Sequence, residues 1–461
     1  MPKTDTETLL DKLCRSAFLS LWTYANPYRN ERISNSKIIC KEICDALVIF
    51  GNHILIFSDK NCSFSDSGDI NLDWNRWYRK AVYKSANQLI GAKNWIKKNP
   101  SRVFIDQTCQ RRIPINIPDE DKCIFHLILI AHGSNERCKQ YFGNTGIGSL
   151  MLMSNSGLDK NDLSLQKTTI PFTIVNPIMR NEHIHILDSI TLDVVLKYLD
   201  TVKDFIDYLS IKENLLRNKS IVVSGEEDLL AFYLRSVDTQ GKHYFDIPEG
   251  SDLFIIDEGF WEKFLISKQY KSYKSANKVS YFWDSLIERL IYFIKSGIEL
   301  SPTPTDISEY EIVVRYMAKE SRFFRRVLSN VLLDMIRTTP KDYKRAFLIK
   351  PSNHGDSYYV FLLLPHLQNM SEEKYQNARR NLLYMSCMVA RYLNEDALEI
   401  VGIATETGNS TNRSEDAVYI DFHEWTEKKN EDAKNWYENL GILNTNTKIS
   451  KINDFEFPYD M

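Results

Sequence analysis

The amino-acid sequence predicts a mixed α/β protein built from more than one domain. The chain has 461 residues, more than a single hydrophobic core usually organises. Its first third has the pattern helix, apolar hairpin, helix and buried strand, and its last part alternates strand-like runs with a long helix. We expect an N-terminal α/β domain over residues 1–215, a mainly helical middle region over 216–340 and a C-terminal α/β module over 341–461.

The composition is that of an ordinary globular protein, with 43% hydrophobic and 26% charged residues and a net charge of −3. A nucleic-acid partner would therefore need a local basic patch. No apolar run approaches the roughly 18 residues of a membrane span, and the N-terminus lacks a signal core. The eight cysteines include no C-x-x-C pair. We expect a cytoplasmic protein with reduced, buried thiols and no membrane partner.

The first elements follow from the spacing of apolar residues. Residues 5–24 have the helical period and predict an amphipathic helix, and a polar loop is expected over 26–37. Two apolar runs within 44–60, separated by a Gly-Asn pair, predict a β-hairpin with a two-residue turn. Residues 74–98 predict a second helix that ends before an Asn-Pro pair. The apolar run of 122–133 predicts a buried strand.

The later elements are predicted from the same patterns. Residues 182–194 are expected to be extended and to lead into a helix, and 220–234 predict a strand, a glycine turn and a helix. One long helix is expected over 308–337. Two strand-like runs then precede a helix over 371–393, and two more follow it. This order predicts the α/β module at the end of the chain.

The apolar hairpin carries polar side chains at its open end. A two-residue turn at 51–52 places Asp45 directly opposite Ser58. Opposed residues point to one face of a sheet, and so does Lys60, two positions further on. Asp59 points to the other face. An acid, a hydroxyl and a lysine are therefore expected to converge where the two buried strands end.

This convergence resembles the PD-(D/E)XK nuclease superfamily, which has the restriction-endonuclease-like fold. In that pattern an Asp begins one strand after a helix, and the motif acid-x-Lys ends the next. Asp45 and Lys60 match, whereas Ser58 replaces the second acid. The resemblance covers roughly residues 5–133 and implies a restriction-endonuclease-like sheet flanked by helices. It also implies hydrolysis of phosphodiester bonds, with DNA as the expected substrate and Mg²⁺ or Mn²⁺ as cofactor.

The resemblance assigns a role to each residue of the hairpin end. Asp45 would hold the metal ion, and Lys60 would assist the attacking water and stabilise developing charge. Ser58 is a poor ligand for Mg²⁺, which prefers carboxylates and water. Asp59 would then be a compensating metal ligand, or the loop acids Asp66, Asp69 and Asp73 would compensate.

The two flanking helices provide further candidates. Members of the superfamily often carry an acid on the helix before the hairpin, and Glu7 and Asp11 are the acids available there. On the following helix, Lys84 and Gln88 lie one turn apart, in line with Lys80. Their implied role is to position the substrate backbone or the water.

Two other groups of residues have possible functions. Arg315, Lys319, Arg322 and Arg326 have helical spacing, so one stripe of the predicted long helix would carry four cations. Such a stripe is a candidate for binding nucleic acid along its phosphates, but a solvated helix face is the usual explanation of this spacing. His183 and His185 share one strand face, a spacing that metal sites use, but buried structural histidines are the preferred interpretation.

Three functions remain open from the sequence. The first is a metal-dependent nuclease whose C-terminal region recognises a substrate or regulates the activity. The second is a nuclease-derived module that binds nucleic acid without cleaving it, because Ser58 replaces an acid. The third is a structural or regulatory subunit of a larger complex, with a protein partner bound through the C-terminal half. The opening segment also resembles that of bacterial proteins to which no function is attached.

Overall fold

The computed structural model describes residues 4–33, 37–144, 146–154, 170–238, 242–251, 253–295, 307–350, 357–366, 370–408, 413–443 and 455–457. The chain forms two compact units. Residues up to 271, apart from 239–241, form the first unit, and the residues from 272 onward belong to the second. The fold is mixed α/β, as predicted. The predicted boundaries at 215 and 340 both fall inside a unit, so they do not separate compact domains.

The first unit alternates helices and strands. Its elements are α1 (Asp5–Phe18), β1 (Thr23–Ala25), β2 (Tyr28–Ile33), β3 (Lys37–Glu42), β4 (Ala46–Phe50), β5 (His53–Asn61), α2 (Ile70–Tyr78), α3 (Lys84–Lys98), β6 (Val103–Phe104), β7 (Ile124–His132), α4 (Asn135–Tyr141), β8 (Met151–Ser154), β9 (Thr173–Val175), β10 (Ile178–Met179), β11 (Glu182–Asp188), α5 (Ser189–Tyr198), α6 (Val202–Asn218), β12 (Ile221–Val223), α7 (Glu226–Leu234), β13 (Phe254–Ile256) and α8 (Phe260–Ile266). The chain passes to the second unit within α9 (Lys268–Ala276).

A six-stranded sheet in the order β1-β4-β5-β7-β11-β10 organises the first unit. Strands β4 and β5 form the predicted antiparallel hairpin, with its two-residue turn at 51–52. Strands β5, β7 and β11 are parallel neighbours, so their carboxyl ends lie along one edge of the sheet. This edge is where ligands bind in most α/β sheets.

Both faces of this sheet are buried, which explains why its strands are almost continuously apolar. On one face, Ile54 and Ile56 belong to the core that contains Leu89 and Ile96 of α3. On the other face, the Phe57 ring lies 6.1 Å from that of Phe18 in α1 and 6.3 Å from that of Phe205 in α6. Alternate residues of β5 therefore face different helices.

The predicted polar loop over 26–37 is instead part of an antiparallel hairpin. Strands β2 and β3 pair from Tyr28 opposite Glu42 to Ile33 opposite Lys37, and β6 joins them in a three-stranded sheet. A second small sheet has the order β13-β12-β8-β9. The consecutive polar residues of β2, Arg29 to Arg32, hid this strand from a search for apolar periodicity.

The predicted helix over 74–98 is longer and interrupted. Helix α2 begins at Ile70, because the Asp69 side chain accepts hydrogen bonds from the N–H groups of Asn71 and Leu72. A π-helical turn over Arg79–Tyr83 then separates α2 from α3. Single π-helical turns are rare and frequently occur at functional sites.

The second unit contains a four-stranded sheet in the order β14-β15-β16-β17. Its elements are α10 (Tyr281–Lys295), α11 (Ile307–Ala318), α12 (Arg322–Thr338), β14 (Arg345–Ile349), β15 (Tyr358–Leu364), α13 (Glu372–Leu393), β16 (Glu399–Glu406), β17 (Glu415–Asp421) and α14 (Glu427–Leu440). The helix predicted over 308–337 is therefore two helices. The second one begins where the Ser321 hydroxyl accepts a hydrogen bond from the N–H of Phe324.

The cysteines differ in part from the expectation of free, buried thiols. Cys40 and Cys109 form a disulfide with their Cα atoms 6.2 Å apart. The other six are free, and five of these are buried. None of the helices within the described ranges is long and apolar enough to cross a membrane.

Candidate active site

A cavity of about 480 Å³ lies at the open end of the β4–β5 hairpin, between the sheet and helix α3. Its polar lining comes from α1, β2, the end of β3, the hairpin and α3. It includes Glu7, Arg29, Glu42, Asp45, Ser58, Asp59, Lys60 and Gln88. Six of these eight residues are predicted site residues, and Arg29 and Glu42 are the additions.

The hairpin has the predicted register, and this register brings its three polar residues together. Asp45 precedes β4, and its backbone N–H donates to the carbonyl of Phe57 at 3.1 Å, which continues the pairing beyond the strand. The Asp45 Oδ2 atom accepts a hydrogen bond of 2.6 Å from the backbone N–H of Asp59. Ser58 is buried, and Lys60 is partly exposed, so the lysine can reach a ligand in the cavity.

Asp45 lies in an unusual electrostatic environment. Burial raises the pKa of its carboxyl from 3.8 to about 7, and the negative charges of Glu42, Asp59 and Glu7 raise this pKa as well. The hydrogen bond from the Asp59 N–H opposes the increase only in part. The charged form of Asp45 is thus disfavoured in the protein alone, and a bound cation would favour it.

Asn26 holds the two glutamates of the site. It is fully buried, and its Nδ2 atom donates to Glu42 Oε1 at 3.0 Å and Glu7 Oε2 at 3.4 Å. Its backbone N–H donates to the carbonyl of Asp45 at 2.9 Å. Asn26 has a φ of 46°, a left-handed conformation that Asn tolerates better than most residues. One asparagine therefore fixes Glu7 and Glu42 relative to Asp45.

Arg29 is a second cation at the cavity. Its guanidinium lies 5.0 Å from the centre of the Trp95 ring, and Arg29 Nη2 pairs with Glu31 Oε1 at 2.9 Å. The Nε atom of Arg29 is buried, with no hydrogen-bond partner among the described residues. The sequence contained no signal for Arg29, since it lies in the segment expected to be a loop. Glu42 had a weak signal as an acid close to Asp45.

Helix α3 contributes Gln88 to the cavity, and not Lys84. Both side chains are exposed on one face of the helix, as predicted, but only Gln88 is among the residues that line the cavity. Lys84 lies one turn nearer the π-helical turn. Gln88 is therefore the residue of this pair that is placed to orient water or substrate.

Asp59 requires a correction. Asp59 is among the residues that line the cavity, but its side chain is fully buried and is hydrogen-bonded to Nε2 of His132 on β7. The parity of the strand explains this, because Asp59 points to the face opposite Ser58 and Lys60. The expectation that Asp59 supplies a metal ligand beside Asp45 is not supported by this arrangement.

The other candidate acids have structural partners. Asp66 pairs with Arg137 at 3.1 Å, Asp69 caps α2, and Asp73 accepts a hydrogen bond of 2.7 Å from the N–H of Ser67. Asp11 pairs with its helical neighbour Arg15. None of these four acids is among the residues that line the described cavity, whereas Glu7 is.

The basic stripe predicted on the long helix is wrong. Arg322 and Arg326 are only 4% and 1% exposed, and both guanidinium groups donate to side chains of the second unit. The break between α11 and α12 separates Arg315 and Lys319, which are partly exposed, from the buried pair. The four cations therefore do not form one surface on which phosphates could bind.

His183 and His185 are buried side by side, with ring centres 4.6 Å apart. Burial lowers the pKa of both imidazoles well below 6.5, so both are neutral at physiological pH. Across the described residues, no group of three or more His, Cys, Asp or Glu side chains is arranged to hold a metal ion. No family model, curated protein or solved structure matches the chain.

Proposed function

We propose that the first unit is a metal-dependent phosphodiesterase that cleaves nucleic acid, with DNA as the expected substrate. The observation that carries this proposal is the shared cavity, where Asp45, Lys60 and Glu7 from separate segments line one space. The order of α1, the β4–β5 hairpin, α3 and β7 also follows the pattern of the resemblance. The second unit would recognise the substrate or a protein partner.

The donors at the cavity fit Mg²⁺ or Mn²⁺ in chemistry. Asp45, Glu7 and Glu42 offer hard carboxylate oxygens. The pKa of Asp45 is raised chiefly by burial and further by the neighbouring acids, and both effects would be offset by a bound cation. Mg²⁺ is usually bound through one or two carboxylates together with water and substrate phosphate. A dedicated group of three protein ligands is therefore not needed. Asp45 and one of the glutamates would hold the cation.

The residues that line the cavity have different roles in hydrolysis. When bound, the cation supplies Lewis-acid polarisation of the phosphate and a lowered pKa for water. Lys60 stabilises the negative charge that develops on the phosphate oxygens. Arg29 adds a second positive charge to the wall of the cavity, which would attract a neighbouring phosphate, and Gln88 orients the attacking water. Asn26 keeps both glutamates in place throughout.

Replacement of Lys60 tests this proposal. Lys60→Ala should reduce Mg²⁺- or Mn²⁺-dependent cleavage by about 100-fold or more, because the charge that it stabilises exists only in the transition state. The matched control is Lys98→Ala, which removes an exposed lysine from the end of α3. Cleavage of single- and double-stranded DNA and RNA is measured with each metal and with chelator. Equal cleavage by wild type and Lys60→Ala would refute the assignment.

A second candidate function is a nucleic-acid-binding module without cleavage. The observation that favours it is Ser58, a 6% exposed hydroxyl where the resemblance expects a carboxylate. Under this alternative, wild type binds nucleic acid in a salt-dependent manner but leaves it intact with either metal. A binding assay on the same substrates separates the two functions, because only the nuclease yields products.

A further inference from the structure

Ser189, His132 and Asp59 form a connected set of side chains. Asp59 is also among the residues that line the described cavity, with its side chain fully buried, whereas His132 and Ser189 are not among them. The Nδ1 atom of His132 lies 2.8 Å from Ser189 Oγ, and Nε2 of the same ring is hydrogen-bonded to Asp59 Oδ1. Both ring nitrogens of one histidine are therefore occupied, one by a hydroxyl and one by a carboxylate. This is the connectivity of a nucleophile, a general base and an orienting acid.

The three residues meet because of the sheet topology. Asp59 lies near the carboxyl end of β5, His132 ends the parallel neighbour β7, and Ser189 directly follows β11, the next parallel strand. The carboxyl ends of parallel strands are where α/β sheets place their catalytic residues. The three residues could not be recognised together from their spacing in the sequence, because each belongs to a different strand or helix.

The exposed fraction of the three side chains increases from Asp59 through His132 to Ser189. The Asp59 side chain is 0% exposed, the His132 side chain is 8% exposed, and Ser189 is partly exposed. In the tautomer that carries its proton on Nε2, His132 donates to Asp59, and its Nδ1 lone pair accepts from the Ser189 hydroxyl. The outermost member of the set is the potential nucleophile.

The backbone around His132 holds the imidazole in this position. The His132 carbonyl accepts a hydrogen bond of 3.1 Å from Trp77 Nε1, and the same indole donates to the Cys62 carbonyl at 3.2 Å. Gly133 follows with a φ of 96°, and a Cβ at that position would lie 2.0 Å from the Cys62 oxygen. Only glycine permits this turn. The strand end that carries His132 is thereby fixed against the neighbouring loop.

We propose that Ser189, His132 and Asp59 are a second catalytic centre, one that hydrolyses carboxylic esters. Ser189 Oγ attacks the acyl carbon while its proton passes to His132 Nδ1. The bond from carbon to the alcohol oxygen breaks, and His132 returns the proton to that oxygen. Water, deprotonated by His132, then attacks the Ser189 ester; the acid leaves, and the proton returns to Ser189 Oγ. Asp59 remains ionised and holds the imidazole.

A fluorophosphonate tests this centre directly, because it phosphonylates an activated serine with release of fluoride. The full-length chain is incubated with the probe, and the adduct is found by intact mass and peptide mapping. We expect one adduct, on Ser189, absent in Ser189→Ala and formed about 100-fold more slowly in His132→Gln, since a positioned general base typically contributes 100-fold or more. Asp59→Asn should slow the reaction while preserving size and shape. Ser210→Ala, whose hydroxyl bonds only a helix carbonyl, is the control.

Each outcome of this experiment decides the proposal. Wild type that forms no adduct at Ser189, or labelling that survives Ser189→Ala unchanged, would overturn the nucleophile. Labelling at Ser189 that is as fast in His132→Gln and Asp59→Asn as in wild type would overturn the roles of His132 as general base and Asp59 as orienting acid. Circular dichroism identifies any variant that fails to fold, and the remaining two of the three then carry the test. Hydrolysis of p-nitrophenyl acetate with an initial burst that is lost in Ser189→Ala would support the assignment to carboxylic esters, and the absence of Ser189-dependent hydrolysis would overturn it.

Discussion

Protonation of Asp45 should couple the stability of the first unit to pH in an unusual direction. Its pKa is about 7 in the folded chain and close to 3.8 in the unfolded chain. Between these values the native state binds the proton and the unfolded state does not, so the free energy of unfolding should fall as pH rises through this window. Above about pH 7 this contribution levels off. The displacement from 3.8 to about 7 corresponds to at most roughly 4 kcal/mol.

The variant Asp45→Asn removes this titration while its amide oxygen can still accept from the Asp59 N–H. The variant should therefore be more stable than wild type at about pH 8, and this advantage should shrink as pH falls towards about 4. Denaturant unfolding followed by tryptophan fluorescence across that range measures the difference between the two proteins. Asp121→Asn, an exposed acid, is the matched control and should show no such trend.

The same carboxyl should make metal affinity depend on pH. At about pH 5 nearly all Asp45 is protonated, so Mg²⁺ or Mn²⁺ should bind about 100-fold more weakly than when the acid is fully ionised. Calorimetric titration at about pH 5 and pH 8 measures this ratio, and Asp45→Asn should abolish it. An affinity that is independent of pH, or that survives in Asp45→Asn, would show that the cation is held elsewhere.

Three further changes test the described contacts. Asn26→Ala should destabilise the first unit by about 1–3 kcal/mol in denaturant titrations, and Asn26→Gly by less, because glycine accepts the left-handed backbone; equal losses would contradict a backbone contribution. Asp284→Ala should destabilise the second unit by about 3–5 kcal/mol, because two buried guanidinium groups lose their partner. Lys319→Ala should leave the melting temperature nearly unchanged, and a larger loss in Lys319→Ala than in Asp284→Ala would contradict the importance of the buried pairing. Ser58→Asp should raise metal affinity if that position is a weakened ligand, whereas an unchanged calorimetric titration would show that it is not.

The hairpin end was predictable because its determinants are local. A two-residue turn and two apolar runs define the register, and the register determines which side chains share a face. The same parity argument placed Asp59 on the opposite face from Lys60. The sequence could not show that Asp59 meets a histidine there, since His132 belongs to β7, which is separated from β5 along the chain by α2 and α3.

The residues that the sequence missed or misplaced have a different physical explanation. Arg29 and Glu42 reach the cavity because β2 and β3 form a hairpin beside it, and that pairing has no apolar alternation to reveal it. The prediction of the basic stripe was wrong because helical spacing relates residues only within one continuous helix. The cap at Ser321 starts a new helix, and Asp284 of α10 then pairs with Arg322 in the interior. Sequence periodicity does not indicate which charged residues from distant segments pair with each other.

Strand β5 supplies consecutive residues to the two proposed centres. The Ser58 and Lys60 side chains lie on one face of the strand, whereas the fully buried Asp59 side chain reaches His132 on the other face. Insertion or deletion of one residue just before Ser58 would exchange the two faces and damage both centres in a single event. Length changes in this strand are thus under a double constraint during evolution. Related chains should tolerate substitutions at either centre far more readily than any change in the length of β5.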